Sequence, residues 1–439
     1  MIVVLSQGCA ANFGDGEKIA RILSQKSEVT FEFPEAKPEA FYLNVCTVKG
    51  NAGAMKLLRK AASTFPGVPI YITGCAPKDF REEALRAVPH VQFTSLKELE
   101  ASAILPTQSA QSPSSQTSAR TPDSNKVSRN VLRESPFVGI VNIEEGCLDA
   151  CAFCSTHLVK GRLHSFAPQT IVDQVQALVD DGCLEIQLTG QDCACYGFDI
   201  GTNLAELTQR ILTHVNGNYR IRLGMGNPRH VLSYQEALLD CFTDDRIYKF
   251  IHIPVQSGSE NVLKAMNRRH TARDYATLAH AFTERFRKFT LSTDLIVGYP
   301  GETDTDFNDT LKLLKATRPT VCNITRFVAR PGTVAARLET SKPTHLESAS
   351  CLAVPDDIKH ERSAILAEAF QKIALENNCE WIGDECTVVT EKQGYRAGTT
   401  IARNEAYRPV ALQGTFPAGQ TLRVRITDAE PFALIAKPL

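Results

Sequence analysis

The chain has 439 residues, 43% of them hydrophobic and 22% charged, with a formal net charge of −1. This size allows two to four globular domains, and the balanced charge excludes binding of a polyanion through bulk charge, so that any nucleic-acid site must be a local patch. No apolar run is long enough to span a membrane, and the short apolar start lacks the basic segment of a signal peptide, so we expect a cytoplasmic protein that does not contact membranes.

Residues 1–100 alternate between strand-like and helix-like segments. Apolar strand candidates at 2–5, 41–45 and 69–72 are separated by helical patterns such as those at 15–23 and 52–62. Because strands that alternate with helices form parallel sheets, this pattern predicts a small parallel α/β domain.

A cysteine follows each of these three strands, at Cys9, Cys46 and Cys75. The carboxyl ends of parallel strands lie along one edge of a sheet, so three thiols placed there are predicted to converge on one metal centre. The alternative for each of them alone is a small buried residue. The chain has fourteen cysteines and no export signal, which favours metal ligands or buried thiols over disulfides.

Three further regions follow. Residues 101–136 are rich in Ser, Pro, Gln and Thr, a composition too polar to form a core, and we interpret them as a flexible linker.

Between 137 and 375 six strand candidates alternate with helices, at 138–143, 184–188, 220–223, 250–255, 291–297 and 322–327. Six successive βα units predict an open (β/α)6 barrel rather than a closed eight-fold one. A helical pattern at 357–376 comes next, and the short alternating runs of residues 376–439 predict a small all-β barrel.

A compact cysteine motif follows the first barrel strand. Cys147, Cys151 and Cys154 have the spacing C-x3-C-x2-C, on a loop at the face where barrels of this type carry function. Cysteine thiolates hold iron–sulfur clusters, and three ligands leave one iron open. The alternative is a structural zinc site, completed by His157 as the fourth ligand.

This spacing, with Phe153 just before the third cysteine, resembles the signature of radical S-adenosylmethionine (SAM) enzymes. The resemblance implies a [4Fe-4S] cluster on Cys147, Cys151 and Cys154, whose open iron binds SAM and whose electron cleaves SAM to a 5′-deoxyadenosyl radical. It also implies that loops after the barrel strands contact SAM. The matching positions in this chain are Phe153, Gly190, Gln191, Gln256, Ser257 and Glu302.

The segments 8–12, 44–49 and 74–77 are similar to the N-terminal domain of the radical SAM methylthiotransferases. That resemblance implies a second [4Fe-4S] cluster on Cys9, Cys46 and Cys75, which carries the sulfur to be inserted. It further implies that one SAM methylates this sulfur, that a second SAM yields the radical that attacks carbon 2 of an adenine, and that the terminal barrel is an RNA-binding TRAM-like domain. The electron donor is expected to be a flavodoxin or a ferredoxin.

Three branches of this family differ in substrate. The segments 160–166, 222–228 and 327–333 look like the archaeal and eukaryotic branch, which implies threonylcarbamoyladenosine in tRNA as the substrate. The alternatives are isopentenyladenosine in tRNA and an aspartate of a ribosomal protein. A non-enzyme alternative is an RNA-binding protein in which both cysteine sets hold zinc.

Support for an RNA site from charge is limited. Basic residues at 268–273 and at Arg285, Arg287 and Lys288 are candidates for phosphate contacts, or they form a solvated helix face. The terminal barrel has as many acidic as basic residues, so RNA binding there would need a segregated basic face. Among the other cysteines, Cys193 and Cys195 lie beside Gln191, and we assign them to packing.

Overall fold

The computed structural model describes residues 1–46, 51–104, 132–340 and 353–439. The chain forms two compact units, one of residues 1–135 with 180–182, the other of residues 136–179 with 183–439. Residues 105–131 of the predicted linker lie outside the described residues. None of the helices in the described ranges is both long and apolar enough to cross a membrane.

The first unit contains a five-stranded parallel sheet in the order β2-β1-β3-β4-β5. Its elements are β1 (Ile2–Ser6), α1 (Ala10–Leu23), β2 (Val29–Thr30), β3 (Ala40–Cys46), α2 (Ala52–Thr64), β4 (Ile70–Cys75), α3 (Lys78–Ala87), β5 (Gln92–Phe93) and α4 (Leu96–Ile104). Apolar clusters cover both faces of the sheet, one around Phe41 and Leu43 and the other around Val4 and Ile19. The sequence predicted the three long strands, and the structure adds the two-residue edge strands β2 and β5.

The second unit begins with six parallel strands that follow one another in space in chain order. Its barrel elements are β6 (Val138–Asn142), β7 (Glu144–Glu145), α5 (Thr156–Lys160), β8 (His164–Ser165), α6 (Pro168–Asp180), β9 (Glu185–Thr189), α7 (Leu204–His214), β10 (Arg220–Leu223), α8 (Pro228–Leu232), α9 (Gln235–Cys241), β11 (Phe250–His252), α10 (Glu260–Ala265), α11 (Ala272–Arg285), β12 (Thr290–Val297), α12 (Asp304–Thr317), β13 (Val321–Arg326) and α13 (Val334–Thr340). The order of β6, β9, β10, β11, β12 and β13 confirms the predicted open barrel. Strand β11 is shorter than predicted because Pro254 has no backbone N–H to donate to a neighbouring strand.

Alternation along the strands separates the two faces of the open barrel. On β9 and β10 the apolar residues Ile186, Leu188, Ile221 and Leu223 belong to the core beneath the helices. The intervening polar residues therefore face the concave side, since successive side chains on a strand point to opposite faces. The rings of Phe242, Phe282 and Phe289 pack against one another on the outer side, two pairs edge-to-face and one stacked. The loops at the carboxyl ends of the strands remain available for function.

Helix α14 (Asp356–Cys379) leads into the terminal barrel, as predicted from the helical pattern at 357–376. Five strands close this barrel in the order β14-β15-β16-β18-β17. They are β14 (Glu385–Gln393), β15 (Thr399–Asn404), β16 (Pro409–Gln413), β17 (Thr421–Glu430) and β18 (Ala433–Pro438). Its interior is apolar, with Val388, Val410, Val424 and Leu434 fully buried. The α/β fold with a terminal all-β barrel is thus the predicted one.

Candidate cluster and cofactor sites

The loop with the C-x3-C-x2-C motif begins at a glycine that no other residue could replace without strain. Gly146 has φ +81°, and a Cβ there would lie 2.1 Å from the carbonyl oxygen of Arg162. Its N–H donates a hydrogen bond of 2.7 Å to Oε1 of Gln191. The next N–H, of Cys147, donates to the carbonyl oxygen of Gly161 at 3.3 Å. These contacts fix the position of the first cysteine of the motif.

A guanidinium group contacts the second cysteine. Nη1 of Arg268 donates to Sγ of Cys151 at 3.4 Å, and its Nη2 donates to the carbonyl oxygen of Pro254 at 2.8 Å. Burial raises the pKa of Cys151, and the positive charge of Arg268 opposes that rise. Arg268 therefore stabilises the thiolate form, which is the form that binds metal. We predicted this residue as a candidate for phosphate contacts, and the structure shows it engaged with the cysteine loop instead.

The middle one of the three residues between the first two cysteines, Asp149, connects this loop to a neighbouring loop of the barrel. Asp149 accepts hydrogen bonds from Nδ2 of Asn227 at 2.5 Å and from Nη1 of Arg229 at 2.8 Å. Nε2 of His230 lies 3.3 Å from Oδ2 of Asp149. Burial alone would raise the pKa of Asp149, but His230 and Arg229 bring that pKa below its ordinary value. No sequence pattern singles out Asp149 or Asn227, because their pairing joins distant parts of the chain.

The positions of the three thiols differ from those of ligands around a single zinc ion. A tetrahedral zinc ion with Zn–S bonds of about 2.3 Å holds its thiolates within about 4 Å of one another. Among the described residues, Cys147, Cys151 and Cys154 do not form a group whose donor atoms all lie within 4.8 Å, and His157 joins no such group. The donor set of three thiols beside a cation fits an iron–sulfur cluster better than a zinc ion.

The loop after β9 lies directly against the cysteine loop. A Cβ on Gly190 would lie 2.0 Å from Oε1 of Glu144, so any larger residue there would displace the Glu144 carboxyl. That Glu144 oxygen accepts a hydrogen bond of 3.0 Å from the N–H of Asp192. Burial raises the pKa of Glu144 to about 8, which keeps the carboxyl neutral at pH 7. No motif in the sequence indicated this buried carboxyl, which holds the loop of Gly190 and Gln191 in place.

The remaining predicted cofactor residues lie where barrel strands end. Phe153 packs against an apolar cluster that includes Met266 and Tyr299. Gln256 is buried with φ +77°, and its backbone bonds to that of β12. The side chains of the other two serve the scaffold, since Ser257 contacts Thr310 at 3.2 Å and Glu302 forms an ion pair of 2.7 Å with Arg362.

The three N-terminal cysteines lie after β1, at the end of β3 and at the end of β4, respectively. Cys46 and Cys75 are register partners on adjacent strands. A hydrogen bond between the Cys9 and Cys46 thiols raises the pKa of Cys9. Gly8 has φ +127°, and a Cβ on it would lie 2.3 Å from Cβ of Cys46. These contacts link Cys9 to Cys46 and Cys46 to Cys75 at one edge of the sheet.

The two cysteines beside Gln191 differ in their surroundings. Cys193 is fully buried and its Sγ lies 3.8 Å from the carbonyl oxygen of Leu188, which is a packing position. Cys195 is also fully buried, but its Sγ lies within 4.8 Å of Sγ of Cys147 and of a carboxylate oxygen of Asp192. We predicted packing roles for both, and Cys195 in addition contacts a predicted cluster ligand.

Three family models match separate parts of the chain. Residues 141–314 match the radical SAM superfamily, residues 381–439 match the TRAM domain, and residues 1–95 match the uncharacterized protein family UPF0004. Among solved structures, a radical S-adenosylmethionine methyltransferase, TsrM, from Kitasatospora setae is 14% identical with a TM-score of 0.51, covering 76% of this chain and 73% of that one. That likeness shows the fold.

Curated relatives share one name. A probable threonylcarbamoyladenosine tRNA methylthiotransferase of Archaeoglobus fulgidus is 40% identical over 68% of this chain and 66% of that protein. Its counterpart in Pyrococcus horikoshii is 33% identical over 94% of this chain and 93% of that protein. The threonylcarbamoyladenosine tRNA methylthiotransferase of Homo sapiens is 29% identical over 94% and 69%. The chain belongs to the radical SAM methylthiotransferase family, in the group whose archaeal and eukaryotic members are named threonylcarbamoyladenosine tRNA methylthiotransferases.

Proposed function

We propose that this chain converts N6-threonylcarbamoyladenosine in tRNA, next to the anticodon, to its 2-methylthio derivative. The observation that carries the proposal is the 33% identity over 94% of the chain with an archaeal relative named for this activity. Family membership makes the chain a radical SAM transferase that uses SAM and a [4Fe-4S] cluster. The two sets of three cysteines supply the thiol chemistry that such a reaction requires.

The ligands of the barrel cluster are proposed to be Cys147, Cys151 and Cys154. When bound, the cluster supplies the electron that cleaves SAM. The role of the chain is to hold the thiols and to exclude competing reactions. Arg268 lowers the free energy needed to form the Cys151 thiolate, and Asp149 hydrogen-bonds the loop to Arg229 of α8. The proposed ligands are therefore positioned before the cluster binds.

The SAM molecule is proposed to lie against the loops that follow the barrel strands. Phe153, Gly190, Gln191 and Gln256 contribute contacts from the motif loop and from the ends of β9 and β11. Ser257 and Glu302 act through the loops that they hold, since their side chains contact Thr310 and Arg362. Gly190 leaves room for the Glu144 carboxyl, and the loop that Glu144 supports places Gln191 beside the cysteine motif.

The second cluster is proposed on Cys9, Cys46 and Cys75. Its support is the hydrogen bond between the Cys9 and Cys46 thiols, the register pairing of Cys46 with Cys75, and the match of residues 1–95 to a family model. Three thiols at one edge of a parallel sheet offer a ligand set with one iron left open. We further propose a flavodoxin or a ferredoxin as the electron donor.

The terminal barrel is proposed to bind tRNA through an exposed aromatic residue and nearby cations. Tyr395 is 93% exposed, and Nζ of Lys392 lies 5.8 Å from the centroid of its ring. Phe432, on the turn between β17 and β18, is 63% exposed. Exposed rings stack on unpaired bases, and cations beside them contact the phosphates. By contrast Arg285 and Lys288, considered above for phosphate contacts, form ion pairs with Asp240 and Asp384.

The test is nucleoside mass spectrometry of tRNA from a strain without this gene. We expect 2-methylthio-threonylcarbamoyladenosine to be absent and its unmethylthiolated precursor to accumulate. The wild-type chain and Cys379→Ala, a change at an exposed cysteine, should restore the product. Cys147→Ala and the triple variant Cys9→Ala, Cys46→Ala, Cys75→Ala should not. An unchanged nucleoside profile in the deletion strain would refute the proposal and direct attention to isopentenyladenosine or to the ribosomal aspartate.

A further inference from the structure

The thiol of Cys195 lies beside the proposed cluster ligand Cys147. The Sγ atoms of both residues and a carboxylate oxygen of Asp192 all lie within 4.8 Å of one another. Cys195 sits on a single 3-10 turn, Cys193–Cys195, which the side chain of Asp192 caps by accepting from the N–H of Ala194 at 3.3 Å. The backbone therefore fixes the position of both thiols. The 3-10 turn positions Cys195, and the contacts of Gly146 and Cys147 described above position Cys147.

We propose that Cys195 is a resolving thiol, which forms a reversible disulfide with Cys147 when an oxidant reaches the cluster-free protein. This inference rests on the proposed role of Cys147 as a ligand. Cys147 is partly exposed and Cys195 is fully buried, so peroxide meets Cys147 first. Redox-sensitive cysteines are accessible thiols with a second thiol next to them, which is the arrangement here.

The chemistry balances with hydrogen peroxide as the oxidant. The Cys147 thiolate attacks the peroxide, an S–O bond forms, the O–O bond breaks, and hydroxide leaves. The sulfur of Cys195 then attacks the sulfenic acid of Cys147, so that an S–S bond forms and the S–O bond breaks. The second hydroxide takes up the proton of Cys195 as water. The first hydroxide takes up the proton that the Cys147 thiol released on becoming a thiolate, so two thiols lose two electrons and one peroxide becomes two waters.

The consequence is protection of a ligand from irreversible loss. A sulfenic acid with no partner is oxidised further to a sulfinic acid, which thiol reductants do not restore. The disulfide is restored by a thiol reductant, and Cys147 is then available again for cluster assembly. The other two thiols of the motif, Cys151 and Cys154, have the C-x2-C spacing and can form a disulfide with each other. Cys195 is then the disulfide partner that remains for Cys147.

The experiment uses the full chain with Cys9, Cys46 and Cys75 replaced by alanine, so that iron reports on the barrel site alone. The parent, Cys195→Ala, Cys195→Ser and Cys193→Ala are stripped of iron, exposed to hydrogen peroxide, reduced with dithiothreitol and reconstituted with iron and sulfide. Iron content and the disulfide-linked peptides before reduction are measured. Cys193→Ala is the matched control, because Cys193 is equally buried on the same turn but faces Leu188.

We expect the parent and Cys193→Ala to show a Cys147–Cys195 cross-link and to regain about four irons after reduction, as a four-iron cluster requires. The two Cys195 variants should show a sulfinic acid at Cys147 and lose most of their iron-binding capacity. Equal recovery in all variants, or a link between Cys147 and another cysteine, would overturn the proposal. So would low iron in the Cys195 variants before any peroxide, because that result assigns Cys195 to the cluster site itself. Low iron in the unoxidised parent would instead overturn the ligand role of Cys147.

Discussion

Single residues set the chemistry of the thiols at both cysteine sites. Arg268 donates to Cys151 with one nitrogen and to Pro254 with another, so its guanidinium is held in place beside a proposed cluster ligand. Its neighbour Arg269 is exposed and makes no such contact with the cysteine loop in the described part of the chain. Two adjacent arginines therefore have different roles, which composition and spacing do not distinguish.

Replacing Arg268 with alanine should weaken cluster retention. Partners that contact metal ligands typically contribute about 10–100-fold to metal affinity, and we expect a loss of that order at the barrel site. The measurement is the rate of iron loss to a chelator, in the variant that lacks Cys9, Cys46 and Cys75. Arg269→Ala is the control. If Arg269→Ala loses iron as fast as Arg268→Ala, the effect comes from the general positive charge and not from the contact with Cys151.

The N-terminal site depends on a glycine in the same way. Replacing Gly8 with alanine should remove iron from the site of Cys9, Cys46 and Cys75, because the new Cβ would overlap Cβ of Cys46 at 2.3 Å. Gly67→Ala is the control, since Gly67 also has a positive φ but a Cβ added there would meet no atom within 4 Å. Both changes place a Cβ at a positive φ, which costs about 1–3 kcal/mol, and more of that cost falls on Gly8 at φ +127° than on Gly67 at φ +78°. Iron content with Cys147, Cys151 and Cys154 replaced measures the difference, and equal iron in both would contradict the steric argument.

At the scale of elements, the candidate site is assembled from loops that hydrogen-bond to one another. The loop after β6 bonds to the loop after β9 through Gly146 and Gln191, and to α8 through Asp149. Beneath them lies Glu144, between β6 and the loop after β9, with its buried carboxyl accepting from Asp192. Glu144 thus links the strand before the cysteine loop to the loop after β9.

Glu144 should make folding stability depend on pH. Its pKa is about 8 in the folded protein against an ordinary value of 4.5, so between these values only the folded chain keeps the proton. Stability is greatest below pH 4.5 for this group and decreases as pH rises to about 8, by up to about 1.4 kcal/mol per pH unit. Glu144→Gln, which stays neutral, should remove this decrease in urea unfolding measured from about pH 5 to about pH 8. Glu145→Gln is the control, and an unchanged slope in Glu144→Gln would exclude Glu144 as the cause.

At the scale of the whole second unit, a turn of the terminal barrel packs against strands of the open barrel, in addition to the Lys288–Asp384 ion pair. Tyr407, with φ +59°, follows β15 and donates through its hydroxyl to Oε1 of Glu185 at 2.9 Å. Its ring lies 4.9 Å from that of Tyr248 and 5.2 Å from that of Phe250. The terminal barrel is therefore part of the same compact unit as the open barrel.

Tyr407→Phe should destabilise the second unit as a whole. The change removes one hydrogen bond to the buried Glu185, which still accepts from Gln187 and Tyr248, so the cost should be about 0.5–1.5 kcal/mol. Urea unfolding should show a lower midpoint for both barrels together. Tyr395→Phe is the control, because that side chain is 93% exposed and should change stability by less than about 0.5 kcal/mol. Separate transitions for the two barrels would contradict a single cooperative unit.

The sequence by itself determined the fold class and the candidate ligands, because both are written in local patterns. Alternating strands and helices indicated six barrel strands in chain order, and the spacing of Cys147, Cys151 and Cys154 within one loop indicated the cluster motif. Only the tertiary structure decided which other residues contact those ligands. Arg268 lies 117 positions from Cys151, and Arg229 lies 80 positions from Asp149. The thiol of Cys195 meets Cys147 because β6 and β9 are neighbours in the sheet. Such pairs depend on how strands are ordered in space, which neither periodicity nor motif spacing encodes.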